Sequence, residues 1–346
     1  MKRLLLAGLV LAALSTRTAG AEMVLPEPVS NNAVALANGP AGPTLYSFLG
    51  LGAGKGYGDI RRSASACSLR TQRCVALPEV PVALGRLAAT AATVGGKVYL
   101  FGGYSVAKDG AETSNPETLI FDPATGQWRS GAPIPIPVDD SAALTYRDRY
   151  VYLVSGWHDH GNVPNVQVYD SLTDHWFEAT AYPGTPVFGH AGGVAEGQLV
   201  IADGVAVLGV TPEGHHRYGL VGQAWAGKID PTDPARIAWT RLPPHPGRAA
   251  YRMAATGQGS RVLFAGGAEN PYNYSGMGYD GKPSAPSARL FAYDFGTQRW
   301  VAYRDKPVAS MDHRGLIAAG GKLYILGGMT ANQQVTDRVQ VIDAPR

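Results

Sequence analysis

The chain has 346 residues, of which 45% are hydrophobic and 16% charged, and it contains 44 glycines and 25 prolines. This apolar content excludes a disordered chain, and the many turn residues together with the scarcity of charge favour an all-β domain over long amphipathic helices. The formal net charge is only +3, which gives no electrostatic case for binding nucleic acid or an anionic membrane surface.

The first 21 residues have the features of a secretory signal. Two basic residues precede an apolar run over residues 4–14, and residues 19–21 read Ala-Gly-Ala, a small-residue cleavage pattern. The apolar run is too short to remain as a membrane anchor. We therefore expect residues 1–21 to be a signal peptide, residues 22–346 to form a single domain, and the mature protein to be periplasmic or secreted with no membrane association.

A short motif recurs along the rest of the chain: an aromatic residue followed by Asp, then Thr, and finally Trp. Complete copies occupy residues 121–128, 169–176 and 293–300, a longer version occupies residues 229–239, and Ile342-Asp343 is a first half. Asp and Thr side chains can bond to the backbone amides of a turn, and the two aromatic residues would face each other across paired strands. The motif therefore predicts an outer β-hairpin.

A second motif precedes each hairpin. It is an apolar strand that ends in two small residues, usually glycines, as in Gly102-Gly103 and Gly327-Gly328. A turn and a strand of small residues come before it, so each repeat supplies four strands with a period of about 50 residues. This pattern predicts a six-bladed β-propeller, in which residues 22–27 pair with residues 338–343 to complete the last blade and remove an open sheet edge.

The two linked motifs resemble the kelch repeat, and the resemblance covers nearly all of residues 22–346. It implies an all-β, six-bladed kelch-type propeller with an N-terminal strand in the last blade. In the first blade, Cys67 and Cys74 stand at the two positions that hold the aromatic residue and Trp elsewhere. Because those positions face each other, and because an exported chain meets an oxidising environment, we predict a Cys67–Cys74 disulfide.

In this chain the connections between the second and third strands of each blade are long, whereas the turns at the opposite end of the blade are short. Long loops on a rigid scaffold commonly carry the site, so we expect function on the face that bears them. The starts of the innermost strands also meet on this face, and their polar residues are Asn32, Arg86, Asp140, His190, Arg252, His313 and Arg314. Three arginines near one axis suit a clamp for a ligand carboxylate, but they equally suit ties between blades, and the sequence leaves both open.

The long loops carry further candidates. Glu213 lies close to His215 and His216 in the fourth-blade loop, a combination suited either to acid–base chemistry or to a solvated loop tip. Tyr274 belongs to a Tyr- and Asn-rich loop of the fifth blade, which suits sugar faces and hydroxyls or simple self-packing. His158 and His160 are too few to hold a zinc ion, so we predict no metal.

Among kelch proteins, the chain most resembles the periplasmic N-acetylneuraminate epimerases, or sialic acid mutarotases. The resemblance rests on residues 262–268, the Asn-Tyr loop that follows, Gly327-Gly328 and residues 335–337. It implies interconversion of sugar anomers by an acid and a base without a cofactor. In that case Glu213 and His190 are the expected acid–base groups. The residues expected to contact the sugar are Arg86, Asp140, Arg252, His313, Arg314 and Tyr274.

One position departs from that family. Val205 stands where the family carries a Glu, so either Asp203 or Glu213 supplies the carboxylate or the activity is absent. Two classes of function therefore stay open: a propeller that binds a small sugar, acidic or neutral, with or without mutarotase activity, and a non-catalytic propeller that binds a glycan or a protein partner. A galactose oxidase-like copper enzyme is less favoured, because it needs a Cys cross-linked to a Tyr and both cysteines are assigned to the disulfide.

Overall fold

Each repeat forms a small antiparallel sheet whose strands, a to d in chain order, run from the centre of the molecule to its periphery. The computed structural model describes residues 22–345, and across this range six such sheets form the blades of a propeller. The a strands of consecutive blades contact each other, and that of blade 6 contacts that of blade 1, so the ring is closed. The predicted signal peptide, residues 1–21, lies outside the described residues. Within the described range, no helix has the length and apolar character needed to cross a membrane.

Blades 1 to 3 each have four strands. In blade 1 these are Ala33–Gly39, Gly42–Leu51, Ile60–Ser68 and Arg73–Leu77. In blade 2 they are Thr90–Val94, Lys97–Phe101, Thr118–Asp122 and Gln127–Gly131. In blade 3 they are Ala142–Tyr146, Tyr150–Val154, Val166–Asp170 and His175–Ala179. The b–c loops of blades 2 and 3 contain the short strand pairs Tyr104–Val106 with Glu112–Ser114 and Trp157–His158 with Gly161–Asn162.

Blades 4 and 5 repeat this arrangement, and blade 6 has three strands of its own. In blade 4 the strands are Ala191–Ala195, Gln198–Ala202, Ala224–Ile229 and Ile237–Arg241. In blade 5 they are Ala254–Gln258, Arg261–Ala265, Leu290–Asp294 and Arg299–Ala302, and in blade 6 Ile317–Ala319, Lys322–Leu326 and Val339–Asp343. The b–c loops of blades 4 and 6 contain the pairs Val205–Val210 with His216–Leu220 and Met329–Thr330 with Gln334–Val335. Two short 3-10 turns lie at Tyr57–Asp59 and Ala331–Gln333.

The aromatic–Asp–Thr–Trp motif forms the predicted hairpin between strands c and d. Tyr169 lies directly opposite Trp176, and the copies in blades 2 and 5 pair in the same way. The Asp170 carboxylate accepts a hydrogen bond from the Leu172 amide in the turn and two from Arg149, at 2.8 and 2.6 Å. Because Arg149 immediately precedes strand b, the motif fixes the turn and also ties it to the next strand inward.

In blades 3 and 5 the Trp of the motif bonds to the chain that leaves the preceding blade. Trp176 Nε1 donates to the carbonyl of Ala132 at 2.8 Å, and Trp300 Nε1 donates to the carbonyl of Pro243 at 2.8 Å. Apolar clusters fill the spaces between adjacent blades all round the ring. The core is therefore distributed between the blades, and a further cluster lies beneath the loop face.

The glycine pair at the end of strand b has a steric cause. Both positions have positive φ in every blade; the first accepts Leu49, Ser155 and Asp203, whereas the second is always glycine. A Cβ added at Gly50 would lie 2.5 Å from the carbonyl oxygen of Ser30. The second glycine is needed because the chain entering each blade crosses it at close range.

The predicted disulfide is present. Cys67 and Cys74 are direct partners across the c–d hairpin of blade 1 and are bonded to each other. Cys67 is fully buried in the cluster between blades 6 and 1, at the position where blades 2, 3 and 5 place an aromatic ring. No free cysteine occurs among residues 22–345.

The N-terminal segment closes blade 6, as predicted, but over a shorter stretch. Val24 forms an antiparallel bridge with Arg338, and backbone hydrogen bonds flank the bridge on both sides. Pro26 and Pro28 have no amide hydrogen with which to extend the ladder. The pairing is therefore centred on Arg338 and does not run along residues 338–343 as the sequence suggested.

Candidate ligand-binding site

The b–c loops and the d–a connections form one continuous layer on the loop face. In all six blades the residue after the glycine pair bridges to the incoming d–a connection, as Tyr104 does with Leu87 and Trp157 with Asp139. The apolar cluster of this layer draws buried side chains from several blades, including Phe188. The layer is thus a rigid base for side chains that converge on the axis.

Directly after each bridge, one residue joins a closed ring of hydrogen bonds around the axis. The ring residues all have φ between 50° and 67°, and they are Asn31, Ala88, Asp140, Gly189, Arg252 and Asp312. In each blade a backbone amide donates one hydrogen bond of 2.7 to 3.2 Å to the ring residue of the preceding blade. At one junction the acceptor is Asn31 Oδ1, and at another the donor is the amide of His313. Left-handed backbone is unfavourable for residues other than glycine. The hydrogen bonds of the ring therefore hold its non-glycine members in this conformation.

The Arg252 side chain extends from this ring and joins the carboxylates of two other blades. Its Nε and Nη2 donate to Asp140 at 3.1 and 2.5 Å, and its Nη1 donates to Asp312 at 2.9 Å. Arg314 of blade 6 donates to the same Asp140. Blades 3 and 6 are opposite each other in a six-bladed ring, so these four residues, which we call the axial ion network, span its centre. Their side chains are at most 3% exposed.

Above the axial ion network lies a cavity of about 250 Å³, which we call the loop-face pocket. Its residues come from blades 2 to 5 and from the d–a connections between them. They are Tyr104, Glu112, Asp139, Asp140, Trp157, Phe188, Tyr218, Arg252, Asn273, Tyr274 and Tyr279. The pocket therefore combines six aromatic rings with three carboxylates and one guanidinium group.

Aromatic rings in mutual contact form one wall of the pocket. The ring centroids of Tyr218 and Tyr279 are 4.3 Å apart, and Trp157 lies 6.0 Å from Tyr218 and 5.4 Å from Phe188. These residues belong to blades 3, 4 and 5. The wall is therefore assembled by the loops of three blades and depends on their correct packing.

The carboxylates of the pocket have different environments. Asp139 is 4% exposed, and its Oδ2 accepts a hydrogen bond of 2.7 Å from Ser114 Oγ. Burial, reinforced by the charge of Asp140, raises the pKa of Asp139 well above its usual range. Partial burial at the rim also raises the pKa of Glu112. Burial alone would raise the pKa of Asp140 too, but Arg252 and Arg314 together hold it below its ordinary value.

A second cavity, of about 330 Å³, runs along the axis beneath the axial ion network between the a strands, and we call it the axial channel. It contains three of the predicted substrate or acid–base residues, His190, His313 and Arg314. Burial lowers the pKa of His190 to about 4 and that of His313 to about 3, so both imidazoles are neutral near pH 7. His313 Nε2 bonds to Ser310 Oγ at 2.8 Å. These three residues lie on the channel side of the network and do not line the loop-face pocket.

The structure places the other predicted substrate-binding residues in two different environments. Asp140, Arg252 and Tyr274 line the loop-face pocket. Arg86 is 3% exposed, donates to the Gly102 carbonyl at 3.2 Å and pairs with Glu117 at 2.8 Å, so it holds a d–a connection to blade 2 and lines neither cavity.

The residues proposed to replace the family carboxylate do not reach the pocket. Glu213 is exposed at the tip of the blade-4 hairpin. Val205 is fully buried within the apolar layer. Asp203, also fully buried, accepts hydrogen bonds from His245 Nε2 at 2.8 Å and from the Ala250 amide at 2.8 Å. The structure therefore gives no support to Glu213 or His190 as an acid–base pair in one site, because they lie on opposite sides of the network.

Metal and copper alternatives find no matching arrangement. Across residues 22–345, no group of three or more His, Cys, Asp or Glu side chains is placed to hold a metal ion. His158 Nδ1 bonds to the carbonyl of Pro137 at 2.7 Å. Both cysteines are in the disulfide, so neither forms the Tyr cross-link that the copper alternative requires.

The sequence did not point to Glu112 or Asp139, and of the aromatic wall it indicated only the Tyr-rich loop of blade 5, which carries Tyr279. The blade-2 loop that carries Glu112 was identified as long, but nothing in its sequence marks one acid among several. Asp139 is adjacent to the predicted Asp140 and could have been found by aligning the residue that precedes the ring position in each blade. That alignment groups Asp139 with the residues of the d–a connections that form β-bridges to the b–c loops.

Known proteins share this fold and its repeat. A family profile for the Kelch motif matches residues 85–135. Similar curated proteins include Kelch-like protein terF of Aspergillus terreus, 25% identical over 77% of this chain and 54% of that protein, and Beta-scruin of Limulus polyphemus, 27% identical over 72% and 26%. The chain thus spans about half the length, or less, of these relatives. A solved structure titled "Structure of YjhT" superposes with a TM-score of 0.71 at 17% identity, over 92% of this chain and 99% of that one.

Proposed function

We propose that this six-bladed propeller of the kelch type binds a small carbohydrate in the loop-face pocket. The observation that carries the proposal is the meeting of aromatic rings and carboxylates around one cavity. Aromatic faces pack against the apolar faces of sugar rings, and carboxylates accept hydrogen bonds from hydroxyl groups. The cavity of about 250 Å³ is smaller than the ~300–1,000 Å³ of pockets for drug-sized ligands, which suits a single sugar ring.

The charges of the pocket favour a sugar without a carboxylate. Arg252 and Arg314 both donate to Asp140, and Arg86 pairs with Glu117, so all three guanidinium groups already have protein partners. This favours the tie between blades over the carboxylate clamp that the sequence left equally open. A ligand carboxylate would also meet the acidic side of the pocket and be repelled. The resemblance to the sialic acid epimerases supports sugar binding in general, whereas these charges argue against an acidic sugar.

Anomer exchange is a second candidate function at the same place, and two carboxyl groups favour it. Mutarotation needs an acid for the ring oxygen and a base for the anomeric hydroxyl. Burial raises the pKa of both Asp139 and Glu112, which brings these carboxyl groups closer to the pH range in which they can exchange protons with a sugar. One-dimensional NMR of anomer equilibration should then show acceleration that is lost in Glu112→Gln and Asp139→Asn while sugar binding persists.

A non-catalytic protein-binding role stays the main alternative to a sugar site. Several large apolar side chains are exposed near the pocket, with Leu208 and Val210 each 58% exposed on the blade-4 hairpin and Met277 39% exposed on the blade-5 loop. Such side chains suit a protein contact at the rim. A protein partner recovered by pull-down with the wild type but not with Leu208→Ser would favour this role, provided that no sugar binds.

Titration of monosaccharides against the purified protein tests the proposal directly. Tyr279→Ala removes a ring of the wall that is 44% exposed, so folding should be little affected. We expect affinity to fall roughly fivefold, since one aromatic contact contributes about 1 kcal/mol. Tyr57→Ala, which removes a ring that is 49% exposed outside the pocket, is the matched control. Equal affinity in both variants, or no binding by any sugar, would contradict the proposal.

A further inference from the structure

We infer that the sugar bound by the loop-face pocket carries a protonated amino group, so that the pocket selects a hexosamine over the parent hexose. The inference rests on the proposed function and adds the chemical class of its ligand. Three features carry it: the balance of charge in the pocket, one incompletely satisfied buried carboxyl group, and aromatic rings suited to a cation.

The pocket has acidic groups without cationic partners. Arg252 is the one basic residue among the described residues that line it, and it is fully engaged by Asp140 and Asp312. Arg314 adds a second donor to Asp140 from below. The axial ion network therefore balances itself, with two arginines and two aspartates. Glu112 and Asp139 are left over, and a positive ligand beside them would favour their ionised forms and be attracted by them.

Asp139 is the group that most needs such a partner. Asp139 is only 4% exposed, although it lines the pocket. Within the described chain, only Ser114 Oγ donates a hydrogen bond to its side chain, at Oδ2. A nearly buried carboxyl group with a single hydrogen-bond donor is unfavourable when ionised unless a further partner approaches it from the cavity. An ammonium group offers three donors and a positive charge in one small unit. A sugar hydroxyl offers one donor and no charge, so it would satisfy Asp139 less well.

The rings of the pocket add a second attraction for a cation. Tyr251 and Tyr272 are already covered by the Arg252 guanidinium, at 4.7 and 5.4 Å from their ring centres. Tyr218 and Tyr279 line the cavity and carry no such cation among the described residues. A positive group over an aromatic face is attracted by the ring electrons, more strongly where water is excluded. The pocket therefore offers two kinds of cation contact.

Calorimetric titration with matched sugars tests the inference. The probes are glucosamine and galactosamine, the parent hexoses, and the N-acetyl derivatives, at about pH 6, below the ~7.7–8.0 pKa of ordinary α-amino groups. We expect at least one hexosamine to bind about tenfold more tightly than both of its neutral counterparts. Added salt should reduce this preference, because ions screen charge attraction.

Variants separate the charge from the shape of the pocket. Glu112→Gln at the exposed rim and Asp139→Asn in the interior should each weaken binding of the amine more than binding of the hexose, so that the preference for the amine falls. Asp109→Asn removes an exposed acid of the same loop that lies outside the pocket, and it should change nothing. Equal binding of amines and hexoses would overturn the inference and leave the proposed function standing. No binding by any of the sugars would overturn both.

Discussion

Arg252 donates two hydrogen bonds to Asp140, from Nε at 3.1 Å and from Nη2 at 2.5 Å, although 112 positions separate the two residues in the chain. Both side chains are almost fully buried, and the pair lies between the loop-face pocket and the axial channel. The same guanidinium also reaches Asp312. One side chain thus links three blades at the centre of the ring.

Replacing Arg252 by Ala should destabilise the fold strongly. Two buried aspartates would lose their shared partner, and breaking a buried ion pair in this way costs about 3–5 kcal/mol. Urea unfolding of Arg252→Ala and of the wild type measures the effect. Arg248→Ala removes an arginine that is 85% exposed and should be neutral. Unchanged stability in Arg252→Ala together with lost ligand affinity would contradict the structural role and favour the ligand clamp.

Loss of the disulfide should have a modest effect. The bond closes a loop with a separation of only 7 residues, for which chain entropy predicts a contribution of about 2–3 kcal/mol. Native protein should show no alkylatable thiol by mass spectrometry. The double variant Cys67→Ser/Cys74→Ser should fold but unfold at lower urea concentration. Two reactive thiols in the native protein would show that the bond does not form.

Deleting residues 22–29 should expose the edge of blade 6. Met23 and Leu25 are 2% and 3% exposed, and their loss would also uncover part of the cluster between blades 6 and 1. An open edge of this kind pairs with other chains, so light scattering should detect aggregation. Val24→Thr alters a side chain that is 45% exposed while keeping the backbone bridge, and it should stay monodisperse. A soluble truncation with an unchanged melting temperature would contradict this role.

Stability should rise with pH above neutrality because of Lys306. Burial lowers the pKa of this lysine from 10.5 to about 7. Below pH 7 both the folded and unfolded chains carry the charge, and the folded state bears its full desolvation cost. Between pH 7 and 10.5 the unfolded chain binds more protons, so the free energy of unfolding increases with pH.

The assignment is tested by measuring the free energy of unfolding of the wild type and of Lys306→Met at pH values on either side of this window. The variant should lose the part of the pH slope that Lys306 contributes. Lys108→Met, at an exposed position, should keep the wild-type slope. An identical slope in Lys306→Met and the wild type would show that the buried lysine does not titrate as described.

The local repeats predicted the blades well, because each motif depends on neighbours within a few residues. The hairpin pairing of Tyr169 with Trp176 and the disulfide at Cys67 follow from spacing alone. The steric need for the second glycine also repeats in every blade. Local chemistry of this kind can be found in a single sequence.

The site was less predictable because its contacts join distant blades. The d–a connections differ in length, so no fixed spacing shows which residue reaches the ring: the predicted His190 lies one position after the ring residue Gly189, and Arg86 lies two before Ala88. Arg314 reaches Asp140 across 174 positions. Such a pairing depends on ring closure and leaves no local signal.

The ring of hydrogen bonds has a consequence for the electric field at the axis. Each bond points from one blade to the preceding one, all in the same rotational sense. Dipoles arranged tangentially around a closed circle largely cancel, so the backbone ring contributes little net field along the axis. Unlike a site at a helix end, where aligned peptide dipoles set the polarity, this centre takes its sign from side chains. Single substitutions at those side chains can therefore change the ligand charge that the centre accepts while the scaffold keeps its geometry.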